Sequence, residues 1–350
     1  MEGESLRIAQ VLTASTGGIG RHVASLAPRF LDRGHRVVVF CPEVTAVAQD
    51  FATLGVPVRP LRDLARARTA DVVHAHGYKA GALAGAATVL ARPPLVVTWH
   101  NAILGAGSAA GAGRLLQVGV ARVADLTLGA STDLVETARQ AGARRARLGP
   151  VAAPVLPQAR QDRESVRRGL GVAPDDILVL TVSRLAPQKN LGLVLDVAAR
   201  APAGRSRTAF AVVGEGPERG ALERRIEAER LPVRLLGRRD DIAGLLGAAD
   251  LALLTSTWEA RALVAQEALL AGLPLVSTRV RGIEELVGSA AVLVDLDDAA
   301  GAAAAVARLA ADPEERRRLA LAGRQQAAAW PDEDQVADDV LAAYAEVIAG

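Results

Sequence analysis

Short runs of Val, Leu and Ile recur along the first half of the chain: LRIAQVLT (6–13), RVVVFC (36–41), DVVHAH (71–76), PLVVTW (94–99) and DLTLGA (125–130). Runs this short and this apolar predict strands buried on both faces, the pattern of a parallel sheet. Between the first two, RHVASLAPRFLDRGH repeats apolar residues at helical spacing and ends in Gly34, so the local order is β-α-β. The stretch GPVAAPVLPQAR (149–160) breaks the pattern with three prolines and predicts a linker. The alternation then restarts with ILVLTVS (177–183), AFAVVG (209–214), VRLLG (233–237), DLALLT (250–255), PLVST (274–278) and AVLVD (291–295), with amphipathic helical patterns between them. The expectation is an α/β protein of two doubly wound, Rossmann-like domains, residues 1–152 and 160–330. They would face one another across a crevice lined by the carboxyl ends of their strands. The Ala-rich stretch 299–320 keeps Leu, Val and Arg at helical spacing and reads as a helix pair.

A length of 350 residues suits two such domains, and 50% apolar with 23% charged residues is the balance of an ordinary globular chain. A single cysteine, Cys41, excludes a disulfide framework and an all-thiolate zinc site, and five histidines leave little room for a histidine-rich one. The segment MEGESLRIAQ carries acids where an export signal carries bases, so a cytoplasmic location is expected. The longest uncharged window, 93–113, contains Pro93, Pro94, His100, Asn101 and several glycines and does not read as a membrane span; membrane contact is expected to be peripheral at most. Residues 1–150 hold 17 basic against 10 acidic residues, a charge of +7, and residues 151–350 hold 24 against 29, a charge of −5. A basic first half suits an anionic acceptor or a phospholipid surface. Aromatics that would interleave a nucleic-acid groove are missing, so no nucleic-acid partner is expected. Of the 41 basic residues only Lys79 and Lys189 are lysines, which makes each worth attention.

The chemistry-bearing segments follow strands. TASTGGIGRHVASL runs from the first strand through a turn at Gly17, Gly18 and Gly20 into a helix. Such a turn lets a phosphate or sugar approach the backbone and its free N–H groups, and it equally suits packing alone. In VSRLAPQKNLGLVLDVA, Arg184 ends a strand and Lys189 lies five residues further on, two cations that suit a diphosphate. In TSTWEARALVAQEALLAG, Glu259 lies in a loop, a helix begins near Arg261, and Glu267 sits eight residues after Glu259 in apolar surroundings where an ionised carboxylate needs strong donors. His74 and His76 share one face of a strand, but no third metal ligand is evident, so one core histidine and one crevice-facing histidine are expected. Asp295 and Asp297 match a D-x-D metal signature and are expected instead to cap the helix that follows.

Taken together, SRLAPQKN, VVGEGP (212–217), LLGRRDDI (235–242) and above all E-x7-E in WEARALVAQEALLAGLPLV, followed by RGIEELV, resemble the nucleotide-sugar-dependent glycosyltransferases of family 4, which adopt the GT-B fold. STGGIGRHV, DVVHAHG and VVTWHN extend the resemblance over most of the chain. It implies transfer of a sugar from a nucleoside-diphosphate donor to a hydroxyl acceptor, retaining and metal-independent, with no cofactor; the acceptor, anionic or lipid-linked, stays open. By position it implies that Arg184 and Lys189 bind the diphosphate, Glu267 the ribose and Glu259 hydroxyls of the transferred sugar. Backbone N–H groups of Arg261, Ala262, Leu263 and Val264 would cradle the phosphates, and Gly214, Gly216 and Arg238 would flank the base. Gly17 and Gly18 would approach phosphate and acceptor, and His100 would contact the sugar near the reacting carbon. The fold resemblance also implies that the last helix, 335–350, packs back on the first domain. The glycine-rich segment 104–113 is expected to be a mobile acceptor loop.

The chain departs from the family pattern at three places: Glu259-Ala260-Arg261 stands for Glu-Gly-Phe, Arg281-Gly282 for Gly-Gly, and Pro150-Val151-Ala152 for the Asn-Gly-Val of the hinge. Two other functions remain open at this point, a nucleotide-sugar epimerase of the same fold and a non-catalytic nucleotide-sugar-binding scaffold.

Overall fold

A computed structural model of the chain describes residues 5–15, 17–105, 107–149, 151–152, 155, 158–201 and 207–350. It divides into two units, Met1–Pro154 with Pro331–Gly350, and Val155–Trp330.

Among the described residues of the first unit, the strands are β1 (Arg7–Leu12), β2 (Arg36–Phe40), β3 (Val58–Arg59), β4 (Val72–His76), β5 (Leu95–Trp99), β6 (Leu126–Gly129) and β7 (Ala146–Leu148). They form one sheet in the order β3-β2-β1-β4-β5-β6-β7, with every pairing parallel. The helices between them are α1 (Gly18–Asp32), α2 (Glu43–Ala48), α3 (Tyr78–Thr88), α4 (Ser108–Val123) and α5 (Thr132–Gln140). Side chains alternate across a strand, so Ile8, Gln10 and Leu12 of β1 share a face, and the register sets Gln10 beside His74 and His76 beside Thr98. The apolar members of that face pack on Val23, Leu26 and Phe30 of α1. The last helix of the chain belongs to the same core: its Val336, Val340 and Tyr344 are buried there, and Leu341 packs against them. It begins with a reciprocal cap in which Asp332 and Gln335 each take the other's backbone N–H. Glu333 then accepts from Ser25 and Arg29, both at 2.6 Å, and ties it to α1.

The second unit runs through α6 (Arg163–Gly169), β8 (Ile177–Val182), α7 (Leu191–Ala199), β9 (Thr208–Val213), α8 (Arg219–Glu229), β10 (Val233–Leu235), α9 (Ile242–Ala248), β11 (Leu251–Leu254), α10 (Leu263–Leu270), β12 (Leu275–Thr278), α11 (Arg281–Val287), β13 (Val292–Val294), α12 (Ala299–Ala311) and α13 (Pro313–Ala328). Its described strands form a parallel sheet in the order β10-β9-β8-β11-β12-β13. β8 sends Leu178 and Leu180 into one apolar cluster and Ile177 and Val179 into the other, which is why its sequence is a continuous apolar run. The closing helix of the first unit is α14 (Glu333–Ala349).

Four local expectations are corrected. The edge strands β3 and β7 are only two and three residues long and mostly exposed, too short and too polar to register as apolar runs. Ser108–Gly113 form the first turns of α4 rather than a loop, because Gly105 and Gly107 take the positive φ values that close the turn before it. The helix after Glu259 begins at Leu263. Asp298, not Asp295 or Asp297, caps α12, accepting from the Gly301 N–H at 2.7 Å. The linker expectation at 149–160 falls in part on residues outside those described, Pro150 among them. No helix is long and apolar enough to cross a membrane among the described residues.

The amino ends of β8 and β11 are held by Arg167, whose buried guanidinium donates to Asp250 at 2.9 Å and to the carbonyls of Ala248, Ala173 and Asp176 at 3.1, 2.8 and 2.6 Å. Arg163 meets the same carboxylate at 2.5 Å, but its side chain is 44% exposed. Removing Arg167 leaves Asp250 to its exposed partner and orphans the buried carbonyls, at about 1–3 kcal/mol for each unsatisfied group, whereas exposed pairs contribute about 1 kcal/mol or less. Denaturant unfolding should therefore show Arg167→Ala losing several times more stability than Arg163→Ala; equal losses would contradict this account.

Candidate active site

In a parallel sheet the loops after the strands share one edge, and in each unit that edge carries the polar groups singled out above. In the second unit, Ser183 and Arg184 follow the end of β8, and a short turn, Pro187–Lys189, leads through Asn190 (φ 47°) into α7. The neighbouring strand β11 ends in the loop bearing Glu259. These two loops are stitched together: Thr257 N–H donates to the Gln188 carbonyl at 2.8 Å, Gln188 Nε2 to the Trp258 carbonyl at 2.7 Å, and Thr255 Oγ1 to the Lys189 carbonyl at 2.8 Å. The stitching brings Lys189 Nζ into a half-buried ion pair with Glu259 Oε1, which also accepts from Ser256 Oγ at 2.7 Å. Two residues expected to hold different parts of a ligand thus hold each other. Glu259 Oε2 keeps no partner among the described residues.

Arg184 and Arg238 are exposed and make no ion pair among the described residues. Gly214 (φ 136°) and Gly216 are required by packing: a Cβ at Gly214 would sit 1.9 Å from the Ser183 carbonyl oxygen, and one at Gly216 would sit 2.2 Å from that of Leu185. They hold the Arg184 loop and the loop after β9 together, and the Gly214 N–H donates to Gly237, just before Arg238, at 2.8 Å. Ala262 and Leu263 are buried and Val264 half-buried at the start of α10, where the first N–H groups lack intrahelical acceptors. Glu267 is 2% exposed on the same helix. The side-chain amide oxygen of Gln266, the residue before it, and the Ser183 hydroxyl are buried without a hydrogen-bond partner. Arg261 turns its guanidinium over the Trp330 ring, 5.8 Å from the centroid. Its Nε and Nη2 lack partners, and burial lowers its pKa to about 10.

In the first unit, Gly17 precedes α1, and a Cβ there would meet nothing within 4 Å; Gly18 opens the helix. No acidic residue lies in the first turn of that helix and Gly17 itself offers no side chain, while the Gly20 N–H donates to Ser15 Oγ at 3.0 Å. Gly20 is a packing glycine, its Cβ position 2.6 Å from the Gln49 side chain. His100 follows β5 and is half-buried. The sequence missed its surroundings. His74 and His76 are both buried, and His22, one turn into α1, joins His76 and His100 so that one ring nitrogen from each lies within 4.8 Å of the others. A third histidine within reach of His76 is thus present, although it is invisible as a spacing because it comes from 54 residues upstream. His74 turns instead to Thr98 and Tyr344. Burial lowers the pKa of all four rings, His22 to about 4 and His74 to about 3, so they are neutral at pH 7.

The family model described as glycosyl transferases group 1 matches residues 162–326, and that described as a glycosyl transferase 4-like domain matches residues 17–154. The chain belongs to the family 4 glycosyltransferases. It is 29% identical to a D-inositol 3-phosphate glycosyltransferase of Geodermatophilus obscurus over 94% of this chain and 84% of that one. It is 31% identical to the Mycobacterium tuberculosis protein of the same name, over 79% of this chain and 62% of that one. The structure of Anabaena HepE in complex with UDP and glucose superposes with a TM-score of 0.87 at 22% identity, covering 97% of this chain and 100% of that one. WaaG, a glycosyltransferase involved in lipopolysaccharide biosynthesis, superposes with a TM-score of 0.73 at 18% identity, covering 98% of this chain and all of that one. This glycosyltransferase therefore has the GT-B fold, and the epimerase and scaffold readings are set aside.

All five histidines of this glycosyltransferase lie in its first unit. A histidine whose folded pKa is depressed binds its proton first in the unfolded chain, so its neutral form stabilises the fold above about pH 6.5 and that contribution is lost as pH falls. Each such ring removes up to about 1.4 kcal/mol per pH unit below that point. Amide hydrogen exchange, corrected for its intrinsic pH dependence, should show protection falling in the first unit between pH 7.5 and 5.5 while the second unit holds. Uniform loss in both units would refute this.

Proposed function

We propose that this glycosyltransferase takes its sugar from a nucleoside diphosphate and transfers it to a hydroxyl acceptor with retention of anomeric configuration and without a metal ion. The observation that carries this reading is the carboxyl edge of the second sheet. Arg184 is a cation without a carboxylate partner, and the only acid close to Lys189, Glu259, is itself neutralised by that lysine among the described residues. With the N–H groups at the start of α10, the edge is a set of donors for two phosphate charges. The solved HepE complexes with UDP and with UDP-glucose support the same donor class.

Negative charge grows on the diphosphate as the bond to the sugar breaks. Arg184, Lys189 and the N–H groups of Ala262 to Val264 stabilise that growth more than they stabilise the intact donor, which is the condition for raising kcat. Glu259 holds Lys189 in place through Oε1 and offers Oε2 to a sugar hydroxyl. Glu267, buried on α10, accepts from the ribose diol, and the side-chain amide oxygen of Gln266, the next residue, offers a further acceptor. Arg238 and the Gly214–Gly216 loop flank the base. In the first unit, Gly17 and Gly18 let phosphate or acceptor approach the backbone, and His100 contacts the transferred sugar near its reacting carbon. The acceptor is anionic in this reading, in keeping with the +7 charge of residues 1–150 and with relatives named for D-inositol 3-phosphate. Its location is cytoplasmic and any membrane contact peripheral.

A thermal-shift screen of UDP-, GDP-, ADP- and dTDP-sugars identifies the donor, since a ligand at 100 times its Kd stabilises by about 2.7 kcal/mol. With that donor and an acceptor, a new α- or β-glycoside of the donor's own configuration should form in EDTA; an inverted product or loss of turnover in chelator would overturn the reading. Lys189→Ala should cut turnover on the order of 100-fold, and the exposed Lys79→Ala should leave it nearly unchanged.

Glu267→Ala should weaken binding of the free nucleoside diphosphate and raise the donor KM. Glu259→Ala should lower kcat while keeping or slightly tightening diphosphate binding, because Lys189 is released from its partner. Calorimetric titration of the diphosphate into both variants decides this, and the reverse pattern would exchange the two roles.

A further inference from the structure

Three histidines at ligand-like spacing, His22 and His76 buried and His100 half-buried, invite a metal, but their hydrogen bonds tell another story. Gln10 of β1 places its Oε1 2.6 Å from His76 Nε2 and its Nε2 2.8 Å from the Tyr344 hydroxyl. An amide oxygen only accepts, so His76 carries its proton on Nε2 and its Nδ1 is bare. That bare nitrogen lies 3.2 Å from His100 Nε2, which must then be the protonated nitrogen of His100. On the other side, the Tyr344 hydroxyl accepts from Gln10 and gives its own proton to His74 Nδ1 at 2.7 Å, and His74 Nε2 donates to Thr98 Oγ1 at 2.6 Å. From His100 to Thr98 every hydrogen bond runs in one direction. The amide of Gln10 cannot turn over alone, because its NH2 would then face an N–H at 2.6 Å; reversal requires every proton in the chain to move. A metal would need His76 Nδ1, the atom that already receives the His100 proton.

We infer that Tyr344, on the last helix of the chain, is a positioning residue that acts through Gln10 and His76 to hold His100 as its Nε2–H tautomer, presenting Nδ1 as a hydrogen-bond acceptor to a hydroxyl of the transferred sugar. The catalytic half of this inference rests on the contact proposed for His100 above; the tautomer half rests on the hydrogen bonds alone. Without the Tyr344 hydroxyl, Gln10 as placed keeps a buried NH2 with no acceptor. Turned over, it orphans only an oxygen, the milder loss. The chain then reverses, and His100 becomes Nδ1–H, a donor where an acceptor is needed.

The test uses the full chain labelled with 15N-histidine. Long-range 1H–15N correlations should show Nε2–H for His74, His76 and His100 in the wild type, and conversion of His100 to Nδ1–H, or an averaged signal, in Tyr344→Phe, which keeps the ring against Phe30. Gln10→Met, which removes both amide partners of the chain, should likewise release His100 from a single tautomer and guards against a fold defect peculiar to the first variant. In kinetics, Tyr344→Phe should lower kcat by about 10-fold, the scale of one hydrogen bond lost in the transition state, with nucleoside-diphosphate affinity unchanged, and should have no further effect in a His100→Ala background. An Nδ1–H signal for His100 in the wild type, an unchanged tautomer in Tyr344→Phe, or additive losses in the double variant would overturn the inference. So would one zinc per chain that survives dialysis and is lost in His22→Ala. Full turnover in His100→Ala would remove the role given to His100, and with it the catalytic half, while the tautomer measurement still decides the rest.

Discussion

Parallel strands all finish on the same edge of their sheet, and the rest of this protein depends on that asymmetry. At the amino edge of a β/α unit the chain arrives from helix C-termini, with carbonyl oxygens to satisfy. At the carboxyl edge it leaves towards helix N-termini, with N–H groups to satisfy. The second unit uses its amino edge for stability: Arg167 gathers the carbonyls of Ala248, Ala173 and Asp176 together with the Asp250 carboxylate. Its carboxyl edge is left with cations, free N–H groups and the orphaned Ser183 and Gln266 oxygens. A negative ligand completes the second edge as a guanidinium completes the first.

The first unit shows what the same architecture does with polar residues inside its core. Gln10, His74, His76 and Thr98 all lie on the sheet face that packs against α1 and α14, where burying an unpaired polar group costs about 1–3 kcal/mol each. Parallel register places them side by side, and Tyr344 closes the gap between Gln10 and His74. Replacing any one member by an apolar residue leaves its neighbour without a partner, so the members stand or fall together. That explains why the final helix carries a tyrosine with a buried hydroxyl in an otherwise Val- and Ala-rich stripe.

Much of this was legible in the sequence for a physical reason: strands buried on both faces must be apolar at every position, so their runs stand out, and the cation pair and E-x7-E lie within short segments whose local spacing survives folding. What was not legible depends on distance along the chain. Lys189 and Glu259 pair across 70 residues, and nothing in either segment announces it. His22, His76 and His100 come from three segments united only by strand order, and Tyr344 reaches Gln10 across 334 residues. The short strands β3 and β7 escaped because exposed edge residues need no apolar pattern. The α12 cap was misplaced by a residue because four consecutive positions, Asp295-Leu296-Asp297-Asp298, offer three carboxylates and only backbone geometry chooses among them.

The departures from the family pattern can be weighed in the same terms. Where the family has Gly-Phe after its glutamate, this chain has Ala260-Arg261, and the guanidinium lies over the Trp330 ring, whose own N–H donates to the Leu286 carbonyl at 3.2 Å. A planar, weakly hydrated cation can take an aromatic's place against another aromatic, which an ammonium could not do as well. The loop it belongs to is held from outside: a Cβ at Gly282 would fall 2.0 Å from the Ala260 carbonyl oxygen and 2.2 Å from that of Glu259. Of the two glycines the family places there, the chain has kept the one whose replacement would collide with backbone and given up the one before it. The constraint on this loop is therefore the close approach of α11 to the Glu259 backbone, and it makes no demand on the side chain of Arg261, which packs on Trp330.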